Sequence, residues 1–180
     1  MWKSKVAFLS VVMMATILNA FAQGSKQVIE ARAVLESDGA APGSSIKAAA
    51  VARVSSGFHV NDHKPSQEYL IPTEWTIEGA RGISVEKMAY PKGELKKFTF
   101  SDDRLSVYEG ELTIGALLKI SRAAKPGVYK LKGVLKYQAC NDHACLPPKS
   151  LPLDLDVKVL PRGQAGKRVN AEVFRNVRFD

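Results

Sequence analysis

Two stretches decide the fold: residues 129–137, YKLKGVLKY, and residues 151–159, LPLDLDVKV. In both, apolar side chains alternate with polar or charged ones, which is the period of a β-strand with one buried face. We therefore predict two strands that pair as a hairpin, with their leucines and valines pointing inward. The outward lysines of the first strand and aspartates of the second can then meet, and each such pair contributes about 0.2–1 kcal/mol.

The same alternation extends over most of the remaining chain. Further strands are predicted at residues 29–35, 46–54, 73–77, 83–88, 96–100 and 106–114. Residues 116–124 could form a short helical turn, which Pro126 would end. About seven or eight short strands separated by turn residues are typical of an all-β antiparallel sandwich. Trp75 and Tyr137 are expected in its core, because both lie on the apolar side of the alternation.

The first 22 residues have the composition of a secretory signal peptide. Lys3 and Lys5 precede an apolar run at 6–17, and Ala20-Phe21-Ala22 supplies a small-x-small cleavage site. An uncleaved membrane anchor is the alternative, although the run is shorter than the ~20 residues that a spanning helix needs. We predict cleavage, a periplasmic location and no stable membrane insertion. Disulfides persist in that oxidising compartment.

The positive charge does not indicate nucleic-acid binding. The 180 residues include 26 Lys and Arg against 18 Asp and Glu, a formal net charge of +8. Cleavage of the signal would remove two lysines and leave 158 residues with a charge of +6, half of it in a basic tail at 162–180 that could be disordered. The other lysines occupy outward strand positions rather than a basic stripe with interleaved aromatics. We predict one domain at 23–161, no nucleic-acid partner and no cofactor.

One segment carries chemistry: residues 137–148, YQACNDHACLPP. Cys140 and Cys145 are the only cysteines, and they lie between the two strands of the predicted hairpin. A disulfide is therefore geometrically plausible, provided that the Cα atoms come within ~4.4–6.8 Å. Closing so short a loop contributes only about 2 kcal/mol in the chain-entropy model, so the disulfide would stabilise the fold only weakly. His143 could stabilise a thiolate here, and Asp142 would oppose it.

The residues leave three interpretations of this pair open: a redox couple, a structural disulfide and a metal site. A metal site would combine Cys140, His143 and Cys145 with a fourth ligand from His59 or His63. That spacing is not a recognised zinc pattern, so no metal is predicted. His59 and His63 are expected in a solvated loop, and a role beside the cysteine pair is the alternative. The chain lacks the Cys-x-x-Cys of thioredoxins and the Gly-x-Ser-x-Gly of hydrolases.

The cysteine segment resembles a known active site. The string Tyr137-Gln138-Ala139-Cys140, followed by Cys145-Leu146-Pro147-Pro148, is similar to the active-site hairpin of the N-terminal periplasmic domain of the thiol:disulfide interchange protein DsbD. Residues 56–61 with 68–73, and residues 90–98 with 107–110, resemble two other stretches of that domain. The resemblance covers roughly residues 27–160.

This resemblance implies an immunoglobulin-like β-sandwich whose Cys140–Cys145 pair cycles between dithiol and disulfide. It also implies a cap loop that shields the pair with an aromatic side chain, at either Phe98 or Phe100. In the family, electrons arrive from a thioredoxin-like domain served by a membrane electron transporter. They pass on to periplasmic thioredoxin-like or disulfide-isomerase proteins.

The expected function is therefore a periplasmic thiol:disulfide exchange domain, which would make the chain a thiol:disulfide oxidoreductase. Family proteins of the full type continue into a membrane domain and a thioredoxin-like domain. A chain that ends at Asp180 is expected to take its electrons from another protein. The alternative is a non-enzymatic β-sandwich that binds a protein partner and keeps the bridge as a structural disulfide.

Overall fold

The computed structural model describes residues 27–179. Its strands are β1 (Ile29–Leu35), β2 (Ser45–Val54), β3 (His59–Asn61), β4 (Glu74–Glu78), β5 (Ile83–Ala89), β6 (Glu94–Lys97), β7 (Arg104–Tyr108), β8 (Glu111–Ile120), β9 (Gly127–Tyr137), β10 (Ala139–Cys140), β11 (Lys149–Pro152) and β12 (Leu155–Val159). A 3-10 turn, Val173–Asn176, follows them. Within residues 27–179, no helix is long and apolar enough to cross a membrane. The signal peptide predicted at 1–22 lies outside the described residues.

Two antiparallel sheets pack face to face, as the alternation predicts. The first sheet has the strand order β1-β2-β8-β5. The second is built on β9, which pairs with β4 along one edge and with β11 and β12 along the other. Trp75, Ile114 and Leu135 are almost fully buried and belong to one continuous core between the sheets. The predicted all-β, immunoglobulin-like antiparallel sandwich is confirmed.

The predicted hairpin forms, but its second strand is broken in two. Leu131 pairs with Leu155, and Lys130 pairs with Asp156 in a 3.3 Å ion pair across the strands. The ladder is interrupted at residues 153–154 because Gly133 donates its N–H to the Asp154 carboxylate, at 3.1 Å, instead of to a backbone carbonyl. A side chain at position 133 would overlap the backbone carbonyl of residue 153, so the close approach requires glycine.

Three other predicted segments differ from the structure. The strand predicted at 106–114 is two strands, β7 and β8, separated at Glu109-Gly110, where Gly110 takes a left-handed φ of 61°. The helical turn suggested at 116–124 is wrong, because β8 continues to Ile120, whose side chain is buried in the core together with Leu118. The strand predicted at 96–100 ends at Lys97, so both predicted cap aromatics lie in the turn that follows.

A third, small sheet carries the cysteine segment. Its strand order is β10-β3-β7-β6, and it has an apolar cluster of its own, formed by Leu70, Phe98, Leu105 and Val107. A single residue, Gln138, separates β9 from β10. The chain therefore leaves the sandwich at Tyr137, whose side chain is in the core as predicted, and enters the small sheet at Ala139.

The residues after β12 pack against the first sheet. Val169 donates its N–H to the carbonyl of Glu36 at 2.8 Å, beside β1. Phe174 and Val177 are buried against Ala49, on the face of β2 that points away from the core. The division of the chain at residues 22 and 161 stays a prediction.

Asp62, directly after β3, ties the small sheet together. Its carboxylate accepts hydrogen bonds from the Ser106 and Tyr108 hydroxyls, both at 2.6 Å. Gly93 approaches so closely that a side chain there would overlap this carboxylate. Burial alone would raise the pKa of Asp62, but these two hydroxyls and two backbone N–H groups outweigh burial and lower it. The ionised carboxylate therefore stabilises the fold.

We expect Asp62→Asn to lower the free energy of unfolding by about 1–2 kcal/mol near neutral pH, because hydrogen bonds to a charged group contribute more than neutral ones. The folded-state pKa lies below the unfolded one. The contribution is therefore complete above the unfolded pKa and is lost as pH falls through the folded pKa. Wild type and variant should converge on acidification, as measured by urea unfolding at a series of pH values.

Asp156→Asn is the matched control, since it removes a carboxylate from the exposed pair with Lys130. It should change the stability by less than about 0.5 kcal/mol. A constant stability difference between wild type and Asp62→Asn down to low pH would contradict the role assigned to the ionised carboxylate.

Candidate functional site

Cys140 and Cys145 form a disulfide, as the hairpin geometry suggests. Their Cα atoms are 3.9 Å apart, closer than the expected range of ~4.4–6.8 Å. The two residues are also partners in an antiparallel β-bridge. Backbone hydrogen bonds on both sides of the bridge close the loop, from Asn141 to Ala144 at 3.0 Å and from Leu146 to Ala139 at 2.8 Å.

The two sulfur-bearing residues have opposite environments. Cys140 is only 1% exposed and lies in β10, which pairs with β3 of the small sheet. Cys145 lies on the returning arm of the loop, outside the strands, and is exposed. An incoming thiolate or disulfide can therefore reach Cys145 and not Cys140.

The loop between the cysteines is shaped by Asn141. Its side-chain oxygen accepts hydrogen bonds from the backbone N–H groups of His143 and Ala144, both at 2.9 Å, which fold the loop back on itself. Asp142 and His143, the predicted thiolate modulators, both lie in this loop with exposed side chains. Their effect on a thiolate stays a prediction.

His59 is the candidate residue whose predicted environment is wrong. It was expected in a solvated loop, but it is 2% exposed and lies in β3, directly opposite Cys140. Its ring stacks on Phe98, with 4.1 Å between the centroids. Burial lowers the pKa of His59, and the charges of Glu109 and Asp142 oppose this only in part. The imidazole is therefore neutral near neutral pH.

His63 does not join this site. Its ring stacks on Tyr90, with the centroids 3.6 Å apart, on the segment that leads to β6. The metal interpretation needed a histidine beside Cys140, His143 and Cys145, but the cysteines are bonded to each other. Among residues 27–179, no group of three or more His, Cys, Asp and Glu side chains could hold a metal ion.

The turn between β6 and β7, residues 98–103, forms a loop that lies against the cysteine loop. Phe98 is buried, whereas Phe100 is 43% exposed and stacks on the outside of Phe98 at 5.3 Å. Thr99, between them, donates its hydroxyl to the backbone carbonyl of Asp142 at 2.9 Å. Both predicted cap aromatics therefore belong to one loop that is fastened to the cysteine loop by this hydrogen bond.

Two depressions border the cysteine loop. An apolar groove of 440 Å³ is lined by Val28, Ser55, Phe58, Leu146, Pro147, Pro148 and Lys149, and so begins at the residue after Cys145. A cleft of 590 Å³ lies on the other side of Phe58, and His59, Glu109 and Asp142 are among the residues of its wall. The exposed cysteine thus lies beside an apolar surface, while the buried histidine borders a cleft whose wall includes Glu109 and Asp142.

Comparison with known proteins gives one family. The family model described as "Thiol:disulfide interchange protein DsbD, N-terminal" matches residues 27–156. No curated protein matches the sequence. Similar solved structures include the reduced DsbD N-terminal domain of Neisseria meningitidis, with 20% identity over 73% of this chain and 86% of that chain and a TM-score of 0.47.

Two further solved structures are similar to the chain. One is the N-terminal periplasmic domain of ScsB from Proteus mirabilis, with 16% identity over 73% of this chain and 46% of that chain and a TM-score of 0.48. The other is the complex between the DsbD and PilB N-terminal domains of Neisseria meningitidis, with 20% identity over 77% of this chain and 89% of that chain and a TM-score of 0.41.

We expect Thr99→Val to loosen the contact between the two loops, because valine keeps the shape of threonine and removes the hydroxyl. Reduction of the disulfide by a phosphine should become about 2- to 10-fold faster, the equivalent of one net hydrogen bond. The rate is measured by alkylating the thiols that appear with time.

Thr76→Val is the matched control, since its hydroxyl bonds to the Val134 carbonyl within the second sheet, away from the cysteines. It should leave the reduction rate unchanged. Equal rates for Thr99→Val and wild type would show that this hydrogen bond does not restrict access to the disulfide.

Proposed function

Because the chain belongs to the family of DsbD N-terminal domains, we propose that it is a periplasmic thiol:disulfide exchange domain. It relays reducing equivalents through the Cys140–Cys145 couple to partner proteins. The observation that carries the proposal is the asymmetry of the disulfide, with one cysteine buried beneath the small sheet and the other exposed. Exchange needs one sulfur that a partner can reach and a second that is kept for the internal step.

The asymmetry supports one order of the steps. With both cysteines reduced, the Cys145 thiolate attacks a partner disulfide, and one partner sulfur leaves as a thiolate. Cys140 then attacks Cys145, which restores the internal disulfide and releases the second partner sulfur. Two electrons pass from the Cys140–Cys145 dithiol to the partner, and the reverse sequence reloads the domain from a reduced thioredoxin-like donor.

A redox role also fits the small contribution of the disulfide to the stability of the fold. In the chain-entropy model a loop of about six residues contributes only about 2 kcal/mol. The same ends are already held by the pairing of β10 with β3 and of β11 with β9. The bond can therefore open and close while the surrounding strands stay in place.

The cap loop covers one side of the couple in this scheme. Phe98 packs on His59, the neighbour of Cys140, and Phe100 covers Phe98 from outside. Together they cover the buried side of the couple, at Cys140 and His59, and leave Cys145 open to a partner. Asp142 and His143 modulate the thiolate from the exposed loop beside Cys145.

The partners are periplasmic thioredoxin-like or disulfide-isomerase proteins as electron acceptors, with a membrane electron transporter as the ultimate source. The apolar groove at Leu146, Pro147 and Pro148 is the surface on which such a partner docks, because it adjoins the reactive cysteine. The signal at 1–22 delivers the chain to the periplasm.

The groove also supports a second candidate function, a non-enzymatic protein-binding module with a structural disulfide. An apolar surface of this kind can hold a partner without any exchange of electrons. The two functions differ in what the cysteines contribute. A Cys140→Ser/Cys145→Ser double variant that keeps all partner binding and all cellular function would favour the binding module.

We expect the reduced Cys140→Ser variant to accumulate mixed disulfides with thioredoxin-like proteins of an oxidised periplasmic extract. Its exposed Cys145 can attack, and no second cysteine resolves the adduct. Non-reducing electrophoresis and mass spectrometry identify the adducts and the bonded cysteine. Cys145→Ser, which keeps only the buried cysteine, is the matched control and should give none. Equal trapping by both variants, or by neither, would contradict the assignment of Cys145 as the attacking residue.

A further inference from the structure

His59 carries a buried ring nitrogen and lies opposite the buried cysteine in the strand register. The antiparallel register of β3 and β10 places His59 directly opposite Cys140. Side chains of directly opposite residues share one face of a sheet, with Cβ atoms ~4.5–5.5 Å apart. The Nε2 atom of His59 is buried and has no hydrogen-bond partner among residues 27–179. A disulfide sulfur has no hydrogen to donate to it, whereas a Cys140 thiol does.

When Cys140 attacks the Cys145 sulfur, its thiol must first lose a proton inside the protein. Cys145, which is exposed, does not face this difficulty. Only a thiolate attacks a disulfide, and burial in apolar surroundings raises the pKa of a thiol. Cys145 can lose its proton to water, but Cys140 is enclosed by the small sheet. The Cys140 proton must therefore be taken by a neighbouring protein group.

We propose that His59 is the proton acceptor for Cys140 in the step that resolves the mixed disulfide. This assignment rests on the exchange function proposed above. The His59 imidazole takes the Cys140 thiol proton while the Cys140 sulfur forms its bond to the Cys145 sulfur. The bond between Cys145 and the partner breaks, and its electron pair leaves on the partner thiolate. The imidazolium then releases its proton to solvent or to that thiolate, and in the reverse direction it protonates Cys140 as the disulfide opens.

The electrostatic surroundings of His59 suit this role. Burial keeps its pKa low and the ring neutral, with Lys96 acting in the same direction. The carboxylates of Glu109 and Asp142 act in the opposite direction, so they stabilise the imidazolium once the proton has arrived. His59 also borders the cleft that contains both carboxylates, which gives the proton a route to solvent.

The other two histidines lack this geometry. His63 stacks on Tyr90, and in the chain it lies two residues beyond the end of β3. His143 lies in the exposed loop on the side of Cys145. His63 provides the natural control, since it is an imidazole in the same region of the protein without a position opposite Cys140.

The test follows the reaction of the reduced protein with dithiobis(nitrobenzoate) by stopped flow. The first nitrobenzoate thiolate reports attack by the accessible cysteine, and the second reports resolution by its partner. His59→Phe, which keeps a ring for stacking on Phe98, should slow the second phase by about 100-fold near neutral pH, the lower end of the range for general-base catalysis. The first phase should be unchanged. His59→Gln provides a second variant should the phenylalanine alter folding, which circular dichroism checks.

The pH profile separates proton transfer from a purely structural effect. In the wild type the second phase should rise through the pKa of His59 and then level off. In both His59 variants it should keep rising with pH, and the difference from wild type should narrow as Cys140 ionises by itself. His63→Gln should behave as wild type in both phases.

The outcomes distinguish the two proposals. A wild-type protein that releases no second nitrobenzoate thiolate would contradict the exchange function itself. A wild type with two phases, together with folded His59 variants whose second phase is equally fast, would overturn only the role of His59. A rate loss that is the same at every pH would also overturn it, since that result indicates displaced strands rather than a missing proton acceptor.

Discussion

The pairing of β10 with β3 is the constraint on which the site depends. The pair is short, but it draws the chain out of the sandwich directly after Tyr137 and buries Cys140 opposite His59. The returning arm of the loop lies beyond β10, to which it is bridged at the Cys140–Cys145 pair, and Cys145 remains exposed. The disulfide thus joins a buried sulfur to an exposed one. The proposed roles follow from this difference, with Cys145 attacking the partner and Cys140 resolving the mixed disulfide.

The small sheet has contacts of its own besides the disulfide. Its strands share an apolar cluster, and Asp62 joins β3 to β7 through the hydroxyls of Ser106 and Tyr108. The loop that carries Phe98 and Phe100 is fastened to the cysteine loop by one exposed hydrogen bond from Thr99. A rigid support and a weakly held cover suit a bond that opens and closes while the fold persists.

The sandwich could be predicted from the sequence because its long strands bury one face and expose the other. Leu131 and Lys130, or Leu155 and Asp156, show the alternation directly, and the structure pairs them across the hairpin. The small sheet could not be predicted in the same way. In β3 the residues His59, Val60 and Asn61 are all buried, because the strand has neighbours on both sides and is covered on both faces.

The parts of the site that depend on residues close together in the chain could be predicted from the sequence. The Cys140–Cys145 bridge follows from the hairpin, since both residues lie in one loop. The exposure of each cysteine and the position of His59 depend on a strand some 80 residues earlier in the chain, which no local pattern reveals. The only signal was a histidine between Phe58 and Val60, where two apolar neighbours favour a strand over a solvated turn.

The reduction potential of the Cys140–Cys145 couple tests the central claim most directly. It is obtained by equilibrating the protein with dithiothreitol or glutathione buffers and counting thiols at each ratio. A couple that exchanges with periplasmic partners is predicted to have a potential above about −300 mV. A value far below about −300 mV would mark an inert structural bridge and contradict the exchange function.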